Sequence, residues 1–156
     1  MSKYLIKKSD LVSTKTDVVQ HQFNENAIRH TQTLTAGMGL DHLGIHLVRI
    51  EPGRDSTTHH YHEADEEFIY IVSGSGTARI GDETFAIEAG DFMAFPINGP
   101  AHSLHNSSAE DLVYLMGGER NLPDVVHYPD LKRSLFKSQS GRRWTHWSNL
   151  GDLPPR

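Results

Sequence analysis

Residues 58–68, THHYHEADEEF, hold three histidines within four positions and four acidic residues close behind them. Imidazole and carboxylate groups are the side chains that most often bind divalent transition metals in proteins. In an extended strand, side chains two positions apart share a face, so His60 and His62 lie together while His59 and Tyr61 face away. The spacing therefore predicts a metal site to which His60 and His62 both contribute.

The acidic residues of this segment differ in their expected surroundings. Glu63, Asp65 and Glu66 fall in a predicted turn, where they are expected to be surface acids. Glu67 instead begins the apolar strand EFIYIVS and shares its inward face with two isoleucines. A carboxylate at that position is costly to bury unless a cation compensates its charge. Glu67 is therefore the acidic residue that we expect at the metal.

A further histidine lies in a later strand, at the start of the sequence HSLHN. His102 follows the loop PINGPA and shares a face with Leu104 and Asn106, whereas His105 has the opposite parity. A strand that pairs near residues 60–62 could bring His102 to the same ion.

Strand patterns dominate the middle of the chain and would position these side chains. The segments are short, rich in β-branched and aromatic residues, and separated by turn residues about every ten positions. No helical period lies between them, which is typical of an antiparallel sandwich or barrel. The predicted strands cover residues 44–50, 66–73, 77–80, 84–87, 92–96, 102–106 and 111–117.

The two flanking segments look less regular. The first forty residues are expected to hold a short helical turn and an edge strand, and the tail reads as a polar loop followed by aromatic residues. Trp144 and Trp147 are expected to cap the barrel or to pack on a partner subunit. No repeat or linker divides the chain, so residues 1–156 are predicted to form one domain with a barrel core at about 40–118.

Composition excludes several classes of protein. The 156 residues are 37% hydrophobic and 22% charged, as in an ordinary soluble globular domain. A net charge of −5 argues against a nucleic-acid partner, and the absence of a long apolar run argues against a membrane span. The N-terminus has no secretory signal pattern, so a cytoplasmic location is expected. Without cysteine, the chain can form no disulfide bond and offers no thiolate to a metal.

Two sequence motifs resemble those of the cupin family. The first cupin motif, G-(x)5-H-x-H-(x)3–4-E-(x)6-G, is matched by Gly53, His60, His62, Glu67 and Gly74, with one extra residue after Gly53. The second cupin motif is G-(x)5-P-x-G-(x)2-H-(x)3-N, and it is matched by Gly90, Pro96, Gly99, His102 and Asn106. Here one extra residue separates the proline from the second glycine, so that P-x-x-G replaces P-x-G. Both departures lie in loops and leave the ligand spacings unchanged, so we expect a longer turn at Pro96.

The resemblance implies an all-β fold, the double-stranded β-helix or jelly-roll barrel, with irregular N-terminal and C-terminal extensions. It also implies that His60, His62, Glu67 and His102 bind a divalent metal ion inside the barrel. Three imidazoles and one carboxylate suit Fe(II), Mn(II), Ni(II) or Zn(II), and leave up to two positions on an octahedral ion for substrate, water or oxygen.

Such a centre suggests several functions on a small molecule. The ligand set favours an oxygen-dependent, dioxygenase-like oxidoreductase, because open positions beside histidine and carboxylate ligands suit Fe(II). The alternatives are a metal-assisted isomerase, lyase or decarboxylase, and a cupin that binds a small ligand without turnover. Lewis-acid chemistry would need a general base, for which the candidates are His46, Tyr61, Tyr70, His105 and Tyr114. The family also suggests a homodimer.

Overall fold

The computed structural model describes residues 4–152, and nearly all of its regular structure is β-strand. The described residues include one α-helix, α1 (Lys8–Leu11), and two single-turn 3-10 helices. The strands are β1 (Asp17–His21), β2 (Asn24–Thr33), β3 (Leu43–Ile50), β4 (Tyr61–His62), β5 (Glu67–Ser73), β6 (Ser75–Ile80), β7 (Glu83–Glu88), β8 (Phe92–Phe95), β9 (His102–His105), β10 (Leu112–Glu119), β11 (Asp124–Tyr128), β12 (Arg133–Ser138) and β13 (Gly141–His146).

The strands pair antiparallel in three groups, which together form a double-stranded β-helix. The largest group has the order β1-β2-β3-β10-β5-β8, and the others have the orders β13-β12-β11-β4 and β7-β6-β9. An isolated bridge between His60 and His102 connects the segment before β4 with β9. This bridge brings the two sequence motifs together, although about forty residues separate them.

The core follows from the alternation of inward and outward side chains along the central strands. The carboxylate of Glu67 shares the inward face of β5 with Ile69 and Ile71, which are both buried. The remaining buried apolar side chains of this cluster are Val48, Ile50, Ala78, Ile87, Phe95, Leu104, Leu112 and Tyr114. One end of this core is thus polar, and that end is where the predicted metal ligands lie.

Each of the seven predicted strands is present, with ends within two residues of the predicted positions. The predicted short helical turn and edge strand are α1 and β1. The longer turn at Pro96 is also present. There Asn98 adopts a left-handed conformation with φ of 56°, and its N–H donates to the carbonyl oxygen of His62 at 2.8 Å.

The flanking segments are more regular than the sequence suggested. The ten residues of β2 extend the largest sheet beside β3, and the tail forms β11, β12 and β13. Polar side chains on the outward faces of these strands hide their alternation in the sequence. Trp144 packs edge-on against Phe23, with ring centroids 5.6 Å apart, so the tail contacts the N-terminal hairpin of the same chain. Within residues 4–152, no helix is both long enough and apolar enough to span a bilayer.

Candidate metal centre

The fold brings the four predicted metal ligands together at the polar end of the core. Oε2 of Glu67 lies 3.7 Å from Nε2 of His60, 3.5 Å from Nε2 of His62 and 3.2 Å from Nε2 of His102. The ligand atoms of His60, His62 and Glu67 all lie within 4.8 Å of one another. Three imidazole nitrogens therefore surround a single carboxylate oxygen.

Hydrogen bonds donated by Nδ1–H fix the orientation of two of these imidazoles. Nδ1 of His60 donates to the carbonyl oxygen of Thr58 at 2.9 Å, and Nδ1 of His62 donates to Oδ2 of Asp124 at 2.8 Å. Neither acceptor carries a proton, so the hydrogen must lie on Nδ1 of each ring. In the neutral imidazole, Nε2 then presents its lone pair toward Glu67. This is the usual arrangement for metal-binding histidines.

The carboxylate of Asp124 is fixed by a backbone hydrogen bond and by an ion pair with Lys137. Its Oδ1 accepts from the backbone N–H of Ala64 at 3.0 Å, and its Oδ2 lies 2.5 Å from Nζ of Lys137. Burial alone would raise the pKa of Asp124, but the bonds from His62 and Lys137 outweigh burial and hold that pKa well below its usual range. The carboxylate therefore stays ionised and keeps His62 in the metal-binding tautomer.

Asp65 departs from the prediction that it is a surface acid. Its side chain is only 4% exposed and accepts hydrogen bonds from Nζ of Lys137 at 2.9 Å and from the backbone N–H of Asn121 at 2.8 Å. The turn after β4 folds inward because these buried donors compensate its charge. Glu63 and Glu66 are exposed as predicted. His62, Asp65 and Asp124 form a second group with metal-ligand spacing, but Lys137 pairs with both carboxylates, so we assign no separate metal site there.

The third imidazole is held by stacking. The ring of His102 lies parallel to that of Phe95, with centroids 3.6 Å apart and an interplanar angle of 4°. Its Nδ1 is buried and has no hydrogen-bond partner among the described residues. His102 is thus oriented by ring contact, and its tautomer is set by what binds at Nε2.

The electrostatics of the four residues fit a bound cation. Oε2 of Glu67 is buried, and the nearest imidazole nitrogen is Nε2 of His102 at 3.2 Å. Burial favours a neutral Glu67, but His102, His60 and His62 lower its pKa to about 2. Burial, aided by His102, lowers the pKa of His60 to about 3, so this imidazole is neutral near pH 7. The Nε2 lone pairs of His60 and His62 point toward this ionised carboxylate, and a divalent ion between them would stabilise the arrangement.

A cavity of about 230 Å³ opens next to these ligands. One part of its wall is apolar and comprises Ile69, Met116, Val126 and Leu135. Another part carries proton-bearing or charged groups, namely His21, Arg29, Tyr128, Lys137 and Arg142. The cavity can therefore hold a small polar molecule beside the ligand cluster and shield part of it from water.

Among the predicted acid–base candidates, Tyr114 is the one that lines this cavity. Its ring is almost fully buried, and burial raises the pKa of its phenol to about 12 although the Arg29 guanidinium lies beside it. The other four candidates lie elsewhere. Tyr61 stacks on His127 and Tyr70 is 43% exposed, while the side chains of His46 and His105 bond to Thr33 and Asp55.

The histidine that the sequence analysis set aside also points away from the centre. His59 is buried, with Nδ1 3.4 Å from the hydroxyl of Ser103, and it does not line the cavity. The alternation along residues 59–62 explains this, because His59 and His60 project to opposite sides.

Sequence reasoning missed the polar cavity residues of the two flanks. His21 accepts a hydrogen bond at Nδ1 from the backbone N–H of Phe23 at 3.2 Å, so its single proton lies on Nε2. Burial first, and then the charges of Arg29 and Arg142, lower the pKa of His21 to about 4. His21 is therefore a neutral N–H donor near pH 7.

Tyr128 connects this donor with the metal ligands. Its ring is 3% exposed and lies against both His60 and His21, with centroid separations of 6.0 and 5.6 Å. Burial raises the pKa of its phenol to about 12. Both residues lie outside the recognisable motifs, so nothing in the sequence pattern distinguishes them from ordinary aromatic side chains.

Comparison with known proteins agrees with this architecture. Residues 46–118 match the family model described as Cupin domain. The chain belongs to the cupin superfamily. The matched residues include the four ligands and Tyr114, whereas His21, Arg29, Asp124, Tyr128, Lys137 and Arg142 lie outside them.

Two solved cupin-like structures resemble nearly the whole chain. A protein from Acidithiobacillus ferrooxidans ATCC 23270, named "Putative sugar phosphate isomerase", is 35% identical, with 98% of each chain covered and a TM-score of 0.94. A sugar phosphate isomerase from a cupin superfamily, from Silicibacter pomeroyi DSS-3, is 26% identical, with 89% of this cupin and 92% of that chain covered and a TM-score of 0.80. Both comparisons extend well beyond the residues of the family model.

A curated enzyme resembles part of the barrel. The 1-hydroxy-2-naphthoate 1,2-dioxygenase of Nocardioides sp. (strain KP7) is 30% identical over 70 residues. That match covers 45% of this chain but only 18% of the dioxygenase. It therefore concerns one barrel segment of a much longer protein.

Proposed function

We propose that this cupin is a metal-dependent isomerase that acts on a small, sugar-like hydroxycarbonyl compound. The observation that carries the proposal is the row of side chains His60, Tyr128 and His21 along one wall of the cavity. It places proton-bearing groups next to the metal ligands. A wall of this kind suits isomerisation of a hydroxycarbonyl compound, in which a hydrogen moves between two adjacent carbons and a proton moves between the oxygens that they carry.

The ligand set determines what a metal would contribute. Three neutral imidazoles and one carboxylate leave a bound divalent ion with a net charge of about +1. Such an ion, bound by His60, His62, Glu67 and His102, would act as a Lewis acid toward a substrate carbonyl or hydroxyl oxygen. Fe(II), Mn(II), Ni(II) and Zn(II) all accept this combination of nitrogen and oxygen ligands.

The protein side chains would bind and orient the rest of the substrate. The phenol of Tyr128, with its pKa raised to about 12, stays protonated and can donate a hydrogen bond to a substrate oxygen. Nε2–H of His21 can do the same from the neighbouring position. The apolar side chains of Ile69, Met116 and Leu135 exclude water from the other part of the cavity, which strengthens these hydrogen bonds.

The relatives support the same reaction class. The Acidithiobacillus protein resembles the chain along almost its entire length, including the strands that contribute His21 and Tyr128. Its name is that of a sugar phosphate isomerase. Similarity that includes the cavity walls bears more directly on substrate than similarity confined to the metal-binding barrel.

An oxygen-dependent oxidoreductase is the second candidate. It is favoured by the similarity of one barrel segment to a dioxygenase and by the apolar wall around Ile69 and Met116. The polar wall argues for the isomerase, because oxygen insertion into an apolar substrate has no need for His21 or Tyr128 at that position. A cupin that only binds a small ligand is the remaining alternative.

The test uses protein stripped of metal and then loaded separately with each of the four ions. Aldose–ketose interconversion would be followed by NMR on a panel of sugars and sugar phosphates, with oxygen uptake measured in parallel on hydroxy acids and aromatic acids. The proposal expects isomerisation with at least one ion and no oxygen consumption. Oxygen uptake without isomerisation would support the second candidate, and tight ligand binding without turnover would support the binding protein.

Two histidine variants provide a matched comparison. His102→Ala removes a predicted metal ligand, whereas His59→Ala removes a buried histidine that faces Ser103. We expect His102→Ala to lose both bound metal and turnover, and His59→Ala to keep both. Equal losses in two variants that remain folded would contradict the assignment of the centre.

A further inference from the structure

The cavity contains more positive charge than its own carboxylates neutralise. Three cationic side chains line it: Arg29, Lys137 and Arg142. Lys137 is paired with Asp124 at 2.5 Å and with Asp65 at 2.9 Å. Neither arginine has a carboxylate partner within residues 4–152, and Glu67 is the carboxylate assigned to the metal. Two guanidinium groups thus remain unpaired beside the metal centre.

Arg29 is held at the cavity in a partly buried position on β2. Its Nε is buried without a hydrogen-bond partner, and its guanidinium lies beside the hydroxyl of Tyr114. A buried guanidinium N–H without an acceptor destabilises the protein, and a bound anion would provide that acceptor. The arginine therefore has the features of a ligand-binding group and not of a surface charge.

Arg142 reaches the same cavity from the other end of the chain. It lies on β13 directly opposite Lys137 of β12, and both side chains line the cavity. The adjacent Arg143 lies opposite Phe136, which is 40% exposed on the other face, and does not line the cavity. Strand alternation thus places Arg142 on the side of β13 that lines the cavity and Arg143 on the other side, and both arginines are exposed to solvent.

The two arginines act on one region of the cavity. Burial lowers the pKa of His21, and the positive charges of both arginines lower it further. The same two charges lower the pKa of Tyr128, against the larger effect of burial, which raises it. Nε2–H of His21 contributes a third, uncharged donor to this region. None of these groups is an acceptor, so the region matches a ligand group made of oxygens that only accept hydrogen bonds.

We propose that Arg29, Arg142 and His21 form the binding site for the phosphate group of a phosphorylated substrate. This inference rests on the proposed function and specifies its substrate class. Two unpaired guanidinium groups balance the two negative charges of a phosphate monoester, and the three donors match its oxygens. A single carboxylate would leave one guanidinium without a counter-charge. The reacting carbon atoms would then lie between this site and the metal ligands.

The first experiment measures binding without requiring turnover. Inorganic phosphate is titrated into metal-free protein by calorimetry at constant ionic strength, with acetate and succinate as carboxylate controls. The variants are Arg29→Gln and Arg142→Gln, with Arg143→Gln as the matched control. We expect each of the first two variants to weaken phosphate binding by about tenfold to a hundredfold, and Arg143→Gln to leave it unchanged.

The results that would overturn the proposal are specific. Absence of phosphate binding, an equal loss in Arg143→Gln, or equally tight binding of acetate or succinate would each contradict it. Arg29→Lys keeps the positive charge but cannot form a bidentate hydrogen bond, so this variant should bind phosphate with an affinity between those of the parent and Arg29→Gln. It tests the site even if Arg29→Gln is too unstable to measure.

A second experiment separates this inference from the proposed function. Metal-loaded protein is assayed with a sugar phosphate and with the same sugar lacking phosphate. We expect Arg142→Gln to raise KM for the phosphorylated substrate and to leave KM for the free sugar unchanged. Isomerisation with identical KM values in parent and variant would support the function and reject the phosphate site. Arginine-dependent phosphate binding without isomerisation would support the site and reject the function.

Discussion

Replacement of Asp124 by asparagine tests the structural account of the metal centre most directly. Asp124→Asn keeps the shape of the side chain but removes the charge that accepts Nδ1–H of His62 at 2.8 Å. The amide can present its NH₂ group to His62 and so favour the tautomer with the proton on Nε2, which cannot bind a metal. Loss of such a supporting hydrogen bond typically weakens metal binding by about tenfold to a hundredfold, or about 1.4–2.7 kcal/mol.

Asp65→Asn is the matched control for this substitution. Asp65 and Asp124 are both buried and both bond to Lys137, so each variant loses one ion pair with the same lysine. Oδ2 of Asp65, however, lies 3.7 Å from Nδ1 of His62, beyond hydrogen-bond distance. Lys137 keeps one carboxylate in either variant, so each should lose less than the ~3–5 kcal/mol typical of a fully orphaned buried charge.

The assay is competition for Zn(II) against a chromogenic chelator, with the free energy of unfolding of the metal-free protein measured in urea. We expect Asp124→Asn to lose metal affinity within the stated range and Asp65→Asn to retain it, at similar losses of stability. The reasoning is refuted if both variants lose affinity equally, or if Asp124→Asn binds Zn(II) as tightly as the parent.

Three other changes test neighbouring features. Gly118→Ala would place a methyl group 3.0 Å from Cγ of Glu67 and so displace this predicted ligand. Metal affinity should therefore fall by about tenfold in the same competition assay. Unchanged affinity would show that Glu67 can shift freely. The pKa of His21 is lowered to about 4 in the folded protein and is ~6.5 in the unfolded chain, so the free energy of unfolding should fall as the pH drops from ~6.5 toward 4. Between ~pH 7 and ~pH 5, the metal-free His21→Gln variant should therefore lose less free energy of unfolding than the metal-free parent. Equal losses in the two proteins would contradict this. We also propose that a homodimer forms through the outer face of β8, where Phe92 is 63% exposed and stacks on Phe68. In sedimentation experiments, Phe92→Glu should shift the protein from dimer to monomer. A parent protein that is monomeric at every concentration would rule the dimer out.

Strand alternation accounts for what the sequence could predict about the centre. His60, His62 and Glu67 were selected because they share a face or begin a buried strand, and these three lie together in the structure. The placement of His102 depended on the resemblance to cupins, since only the pairing of distant strands brings it to Glu67. The motif spacing is informative because the ligands lie within a few residues of one another on short strands.

The cavity walls could not be predicted in the same way. Arg142 lies more than a hundred residues from His21 and Arg29 in the sequence, and it meets them only because β1, β2 and β13 all reach the cavity. Asp65 looked like a surface acid because its buried partner Lys137 is 72 residues away. Alternation tells which side of a strand a residue faces, but not which strands converge there.

The metal ligands and the unpaired arginines belong to different parts of the chain, and this separation has an evolutionary consequence. The ligands lie within residues 46–118, and Arg29 and Arg142 lie on terminal strands outside that segment. Under the proposed function, substitutions in the terminal strands would change which molecule is bound without changing the four predicted metal ligands. The two sets of residues could then vary independently, and the barrel sequence alone would carry less information about the substrate than the terminal strands do.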